Sequence, residues 1–347
     1  MLTLYSRMPI PDDLVAPSPP GGSTAVNPHF RWHPLRAEWV AYAGHRQART
    51  FLPPPGFNPL RPSNDPAAMT ELPAGAYDIA VFDNLFPAMS LAAHDAPAQI
   101  VPTAPAAGHC EVVVFTQDPH TSLGALPLDH IELLFEVWGR RTRAMRDRHL
   151  RYVLPFENRG EEVGVTLHHP HGQIYAYPFV PPVPKRMHQS EREHFGVHAR
   201  AALETLIEAE CLAGERIVFE SEHAVAFVPA WARYPYEVWV APRRATPDFE
   251  SLSSAQMSDL ARALKTTLLK YDGLWSRPFP YIMAWYQAPL DDSNRAAYHL
   301  HAECLPAYRM PGRLKFLAGT EIAAGMFTND TLPEDKAREL QAVQVTI

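Results

Sequence analysis

The sequence predicts an α+β protein in which one module of strands and a helix is used twice. Three observations lead to this prediction. Short runs rich in β-branched and aromatic residues are interrupted by long amphipathic stretches, and the order of strands, helix and strands recurs in the second half. The segment Phe82–Ala88 parallels Glu222–Pro229, and the pair His169 and His171 parallels His299 and His301.

In the first half, strands are predicted over residues 38–43, 77–82, 111–116, 151–156 and 173–179. A helix is predicted over 128–149, because apolar residues recur there at helical spacing on one face: Ile131, Leu134, Phe135, Trp138 and Met145.

In the second half, strands are predicted over residues 216–220, 224–228, 237–241, 281–286 and 299–305. Helices are predicted over 187–212 and 254–271. One face of the second helix is apolar and carries Met257, Leu260, Leu264, Leu268 and Tyr271.

Composition excludes several classes of protein. The chain has 347 residues, of which 46% are hydrophobic, so it can bury a sizeable core. It has no run of 18 apolar residues and no basic region followed by an apolar stretch at the N-terminus, so neither a membrane span nor a secretory signal is expected. The net charge of −7, without a basic cluster, argues against a nucleic-acid partner.

Cysteine and proline usage adds two expectations. The three cysteines, Cys110, Cys211 and Cys304, lie far apart, which is typical of a reducing cytoplasm and not of a disulfide framework. Many of the 36 prolines fall in residues 9–20, 53–66 and 178–184, where we expect ordered loops and turns.

The run His169-Pro170-His171-Gly172-Gln173 is the most informative part of the sequence. Residues two apart on a strand share a face, so the three polar side chains of this run are expected to converge on one ligand. Two chemistries fit such a set. One is metal binding, and the other is attack of an imidazole on phosphorus, with the amide as a donor to the phosphoryl oxygens.

Together with Glu157-Asn158-Arg159-Gly160, this run resembles the galactose-1-phosphate uridylyltransferase family, a branch of the histidine-triad superfamily. The resemblance implies two fused histidine-triad-like repeats that form one extended antiparallel sheet with helices packed on it. Residues 1–28 are rich in proline, glycine and serine and are expected to form a flexible, poorly packed N-terminal segment. The remainder is expected to divide into an N-terminal repeat with the active-site motif (29–185) and a C-terminal repeat (186–347).

The resemblance also implies a reaction. His171 would attack the α-phosphorus of UDP-glucose, release glucose-1-phosphate and hold UMP as a covalent uridylyl-histidine. Galactose-1-phosphate would then accept the group and leave as UDP-galactose. The main-chain carbonyl of His169 would hold the other ring nitrogen of His171, and Gln173 would donate to the phosphoryl oxygens.

Substrate-binding roles are implied for ten further residues. Some would contact phosphate and sugar: Arg46, Arg49, Asn158, Gly164 and Thr166. Leu60 and Asn84 would hold the nucleotide, and the hexose would meet Lys315, Phe316 and Glu321. In the family this last segment reaches the active site of a second subunit, so a homodimer with shared active sites is expected.

The sequence departs from the family pattern where metals bind. Asn58 and Arg61 stand where many relatives have the cysteines of a zinc site, so we expect no zinc, and none is needed for the chemistry. At the second metal site Met187 and Tyr286 replace ligands, which leaves His301 and Glu303 as two possible ones.

Two alternatives remain open from the sequence. The first is a related nucleotidylyltransferase or phosphorylase that acts on ADP-sugars or dinucleoside polyphosphates, with a changed base pocket around Leu60 and Asn84. The second is a non-catalytic nucleotide- or metal-binding protein that keeps the fold.

Overall fold

The structure, a computed structural model, describes residues 1–11, 14, 26–48, 58–65, 67 and 70–347. Fifteen strands and five α-helices lie in these residues. The strands are β1 Leu2–Tyr5, β2 His29–His33, β3 Glu38–Tyr42, β4 Ile79–Asp83, β5 Thr103–Pro105, β6 His109–Val114, β7 Tyr152–Arg159, β8 His171–Tyr177, β9 Ile217–Glu220, β10 Ala224–Phe227, β11 Val238–Pro242, β12 Tyr281–Tyr286, β13 His301–Pro306, β14 Tyr308–Met310 and β15 Arg313–Leu314. The helices are α1 Leu128–Arg146, α2 Pro182–His198, α3 Ala202–Ala213, α4 Ser254–Leu274 and α5 Pro333–Ala342.

Ten strands form one antiparallel sheet whose order reads as the same motif from either end. The order is β1-β4-β6-β8-β7-β12-β13-β11-β10-β9. Each of the five N-terminal strands in this sheet therefore has a counterpart among its five C-terminal strands. β7 and β12 meet at the centre, with Asn158 opposite Ile282. This arrangement confirms the predicted fold of two repeats in one extended antiparallel sheet.

The apolar faces of α1 and α4 pack on one side of this sheet. Every residue predicted for the buried face of α1 is at most 1% exposed, and so are the four from Leu260 to Tyr271 on α4. Four aromatic rings, with centroids 5.0 to 5.9 Å apart, join the two repeats: Phe135, Trp138, Phe249 and Trp285. Such clustered rings bury large apolar areas and fix the helices against the sheet.

Strand β8 separates the core from the opposite face of the sheet. Ile174 and Ala176 are fully buried in the hydrophobic core. His171 and Gln173 are only partly buried on the other face. The alternation of the strand thus presents the polar side chains of the motif away from the helices.

The two edges of the ten-stranded sheet are both short. β1 and β9 have four residues each. At the β9 edge, the side chain of Gln341 in α5 donates from Nε2 to the carbonyl of Ile217 at 2.8 Å. A helix therefore uses one of the main-chain groups that an edge strand leaves unpaired.

Three sequence predictions need correction. Residues 1–28 were expected to pack poorly, but Leu2–Tyr5 pairs with β4 in the sheet. The single helix predicted over 187–212 is two helices, because the chain turns at Ala199, which has a positive φ of 51°. α2 also begins earlier, at Pro182, since proline is compatible with the first turn of a helix.

The third correction concerns the start of β8. The strand begins at His171 and ends at Tyr177, two residues before the predicted range at each end. His169 therefore lies in the turn that precedes the strand and does not share its alternation.

No helix in the described part of the chain is both long and apolar enough to cross a membrane.

Gly172, the glycine of the run from His169 to Gln173, has no room for a side chain. A Cβ there would lie 2.7 Å from both the Phe115 ring and the main-chain oxygen of Phe156. We expect Gly172→Ala to lower the free energy of unfolding by about 1–3 kcal/mol, because the neighbours must shift. Gly196→Ala on the exposed side of α2 has open space and should raise it by up to about 1 kcal/mol. Equal effects of the two variants in urea unfolding would contradict this assignment.

Candidate active site

An open cleft of about 240 Å³ lies at the beginning of β8. Its walls come from the end of β7, the segment after β6 and the turn before β8. The lining residues include His120, Asn158, Gly160, His169 and His171. The site therefore forms where three neighbouring strands of the N-terminal repeat end or begin.

His171 is oriented by a main-chain carbonyl. Its Nδ1 lies 2.8 Å from the carbonyl oxygen of His169. A carbonyl only accepts hydrogen bonds, so Nδ1 carries the proton and Nε2 carries the lone pair. The imidazole is thus held as the tautomer that is nucleophilic at Nε2.

The ring of His169 does not converge with His171 and Gln173, contrary to the prediction from strand alternation. It is 3% exposed, and its Nε2 donates to the carbonyl of Thr116 at 2.6 Å. Its Nδ1 lies 3.0 Å from the Nδ2 of Asn58. Burial lowers the pKa of His169 below its ordinary value, so the ring is a neutral anchor for the main chain.

Gln173 is oriented by Asn84. The Nδ2 of Asn84 lies 3.2 Å from the Oε1 of Gln173, and its own Oδ1 accepts from the backbone of Phe86 at 2.9 Å. Because the Gln173 oxygen is used in this way, its NH₂ group remains as the donor on the sheet face that carries His171.

Arg46 lies on the same face, in a short helical turn after β3. Its guanidinium donates to the carbonyl of Phe86 at 3.1 Å and to the hydroxyl of Tyr175 at 3.2 Å. Leu60 is 3% exposed and packs in an apolar cluster with Phe82. Arg49 lies outside the described residues.

The three other residues predicted near the phosphate lie around the cleft. Asn158 is in β7 and lines the cleft directly. Gly164 ends a helical turn with a positive φ of 81°, a backbone conformation that only glycine adopts readily. Thr166 lies in the loop between Val165 and Leu167, both of which line the cleft.

The segment predicted to bind the hexose does not line the cleft of its own chain. Lys315, Phe316 and Glu321 are not among the residues that line the cleft. Lys315 Nζ lies 3.6 Å from Glu321, whose carboxylate also accepts from the backbone of Ala318 at 3.1 Å. Phe316, in contrast, is 76% exposed.

Both halves of the chain match domains of one protein family. Residues 23–181 match the N-terminal domain of galactose-1-phosphate uridyl transferase, and residues 187–346 match its C-terminal domain.

The chain belongs to the galactose-1-phosphate uridylyltransferase family.

Individual relatives and structures agree with this assignment. A Thermotoga maritima protein named galactose-1-phosphate uridylyltransferase is 36% identical over 92% of this chain and 99% of its own. A Streptomyces lividans protein of the same name is 39% identical over 82% of this chain and 78% of its own. A solved structure described as a uridylyltransferase superimposes with a TM-score of 0.81, at 33% identity, over 91% of this chain and 98% of that one.

The C-terminal repeat of this uridylyltransferase-family chain contains a buried copy of the histidine turn. His301 Nδ1 lies 2.9 Å from the carbonyl of His299, as His171 does to His169. However, His301 is 3% exposed and is stacked between Trp239 and Tyr286, with centroids 4.8 and 5.3 Å away. The second copy is thus closed by aromatic rings where the first opens on a cleft.

Glu303, predicted as a possible second metal ligand beside His301, forms an ion pair with Arg233. Among the described residues, the possible ligand groups that come close enough to share an ion are Asp83, His109 and Glu111. Glu111 is also paired with Arg141, so its charge is already compensated. The pair His301 and Glu303 is therefore not joined by a third ligand group in the described structure.

Two contacts that shape the site are not predicted from the sequence. The sequence predicts Asn58 only as the replacement of a metal ligand, although an amide at that position is itself a hydrogen-bond donor. The contact of Arg46 with Tyr175 forms because the turn after β3 lies against β8. The alternation in β8 indicates only that Tyr175 shares a face of the sheet with Gln173.

His188 should make stability depend on pH. It packs between Tyr152 and Tyr298, and burial, followed by the Arg192 charge, lowers its pKa to about 4. Between pH 6.5 and 4 the unfolded chain binds a proton there that the folded chain does not. The free energy of unfolding should therefore fall as the pH is lowered, by up to about 1.4 kcal/mol per pH unit from this residue.

The variant His188→Phe keeps a ring between the two tyrosines and removes the titration. We expect the pH dependence of its unfolding free energy, measured in urea between pH 4.5 and 6.5, to be less steep than that of the wild type. Burial also lowers the pKa of His299 and His301 to about 4, so part of the slope should remain in the variant. An unchanged slope would show that His188 does not contribute to it.

Proposed function

We propose that this protein transfers UMP from UDP-glucose to galactose-1-phosphate through a covalent uridylyl-histidine at His171. The observation that carries the proposal is the hydrogen bond from His171 Nδ1 to the His169 carbonyl. It selects the tautomer whose Nε2 can attack phosphorus, at the edge of a cleft. Membership of the family supplies the substrate class.

In the first half-reaction, Nε2 of His171 forms a bond to the α-phosphorus, and the bond from phosphorus to the oxygen of glucose-1-phosphate breaks. The imidazole becomes positively charged as the new bond forms. The proton on Nδ1 remains shared with the His169 carbonyl, which stabilises that charge. The leaving group departs as a phosphate monoester and requires no proton from the protein.

In the second half-reaction, a phosphate oxygen of galactose-1-phosphate attacks the same phosphorus and the bond to Nε2 breaks. UDP-galactose leaves, and His171 returns to the neutral tautomer. Both half-reactions use one site in turn, which corresponds to a ping-pong mechanism.

Gln173 is proposed to donate its NH₂ group to the phosphoryl oxygens. Asn84 supports this role because its contact to Oε1 fixes which end of the amide faces the ligand. A neutral donor stabilises the crowded phosphorus without adding a charge that would hold the intermediate too tightly. Asn158, Gly164 and Thr166 are proposed to bind the phosphate and sugar from the opposite wall.

The remaining substrate contacts are proposals of the same kind. Arg46 and Arg49 would neutralise substrate phosphates, and Leu60 would provide an apolar surface for the base. No step of the proposed reaction passes through a metal ion. The three cysteines are free thiols, which agrees with a proposed cytoplasmic location.

The covalent step is tested by the intact mass of the protein after mixing with UDP-glucose. We expect a gain of one UMP in the wild type, because Nε2 of His171 retains the group until an acceptor arrives. Galactose-1-phosphate should remove it, and His171→Ala should gain no mass.

Three other outcomes would change the proposal. A gain that galactose-1-phosphate cannot remove would mean another acceptor. An AMP-sized gain with ADP-glucose alone would favour the related activity on ADP-sugars. A gain that persists in His171→Ala would rule out His171 as the nucleophile.

A homodimer with shared sites is proposed from the C-terminal segment. Phe316 is 76% exposed, Ile322 63% and Met326 65%, and the same segment carries Lys315 and Glu321. An apolar surface beside residues expected at the sugar fits a segment that completes the cleft of a partner.

Complementation tests this sharing. His171→Ala and Glu321→Ala should each be inactive as homodimers. Purified heterodimers of the two variants, selected by two different tags, should have about half of the wild-type activity, because one of the two sites has both intact residues. Inactive heterodimers would mean that Glu321 acts within its own chain.

A further inference from the structure

Two hydrogen bonds connect Asn58 to the proposed nucleophile through His169, and a third anchors the His169 ring. Asn58 Nδ2 lies 3.0 Å from His169 Nδ1, and His169 Nε2 lies 2.6 Å from the carbonyl of Thr116. The carbonyl of His169 in turn lies 2.8 Å from His171 Nδ1. The ring of His169 is thus held at both nitrogens, and the orientation of His171 depends on the main chain of that residue.

The chemistry of the Thr116 carbonyl determines which atom donates and which accepts in the hydrogen bonds of the His169 ring. The Thr116 carbonyl can only accept, so His169 carries its proton on Nε2 and its Nδ1 accepts from the Asn58 amide. Both groups are neutral. The anchor is therefore complete without a proton or an ion being added next to His171.

Asn58 is itself held in place. Its Oδ1 accepts from the backbone of Leu60 at 3.0 Å, and its carbonyl accepts from the backbone of Arg61 at 3.1 Å. Leu60 is 3% exposed in the apolar cluster beneath this turn. The amide is a fixed donor and not a mobile surface group.

The C-terminal repeat provides an internal comparison. His299 Nε2 lies 2.8 Å from the carbonyl of Pro242, and the carbonyl of His299 accepts from His301, so the same turn is present. In the described structure, however, the buried Nδ1 of His299 has no hydrogen-bond partner. Of the two histidine turns, the one that opens on a cleft has an amide donor at the Nδ1 of its first histidine.

We propose that Asn58 is a positioning residue for uridylyl transfer, which holds His171 through His169 and takes the place of a metal ion. The inference rests on the proposed function. A zinc ion at this place would need the Nδ1 lone pair of His169, because the other ring nitrogen donates to the Thr116 carbonyl. In this chain the amide uses that lone pair, and Arg61, which is exposed, offers no ligand atom at neutral pH. The residues present therefore do not fit zinc.

Asn58→Leu tests the positioning role, because it keeps the shape of the side chain and removes the donor. The matched control is Asn64→Leu in the same loop, whose amide instead holds Ala74 through two bonds of 2.9 Å. We expect Asn58→Leu to lower the single-turnover rate of UMP transfer to the protein about 10- to 100-fold, with little change in KM. Asn64→Leu should lower it much less.

A second readout does not require substrate. In ¹⁵N-histidine-labelled wild type, the Nδ1 proton of His171 should be protected by the His169 carbonyl and visible by NMR. Asn58→Leu should broaden or lose that signal, and Asn64→Leu should keep it. A retained signal with a wild-type transfer rate would overturn the role of Asn58. If instead the signal responds as expected but UDP-glucose never labels the wild type, the proposed reaction fails and the positioning role stands.

The metal content of the protein tests whether Asn58 takes the place of a zinc ion. Wild-type protein purified without chelators should hold much less than one zinc per chain and keep its activity in EDTA. The double variant Asn58→Cys/Arg61→Cys should bind about one zinc per chain, with His120 and His169 as its other ligands, and its activity should become sensitive to EDTA. One zinc per chain in the wild type, with activity lost on its removal, would overturn the proposal.

Discussion

The antiparallel pairing of β7 with β12 is the constraint on which the rest of the structure depends. It joins the two repeats into one sheet, and it fixes β7, whose other edge pairs with β8. Through that second pairing Phe156 lies opposite Gln173, and Asn158 reaches the wall of the cleft. A shift of one residue in either register would turn Asn158 or Gln173 towards the helices.

Most of the architecture was predictable because local pattern and packing agree. The apolar faces of α1 and α4 follow helical spacing, and β12 was predicted with its observed bounds, Tyr281–Tyr286. The features that were missed depend on distant partners or backbone conformation. β1 exists because β4 offers it an edge, and the break after α2 depends on Ala199 adopting a positive φ that its sequence does not signal.

In the site, too, local pattern was predictable and contacts between distant residues were not. The residue types around His171 and Gln173 were readable from the motif, and their shared face followed from strand alternation. The position of the His169 ring was not predictable from the motif. The strand begins at His171, and side chains in the turn before it do not alternate between the two faces of the sheet. Contacts such as Asn58 to His169 join residues that are 111 positions apart, so only the folded chain brings them together.

The short outer strands limit how copies of this protein can associate. A partner that added a strand to β1 or β9 would gain few main-chain hydrogen bonds, and at β9 the side chain of Gln341 already uses one acceptor. Growth of a continuous sheet from chain to chain, the route to fibrous aggregates, is therefore disfavoured at both ends. Self-association is directed instead to side-chain surfaces, where complementarity of shape limits the number of subunits that can join.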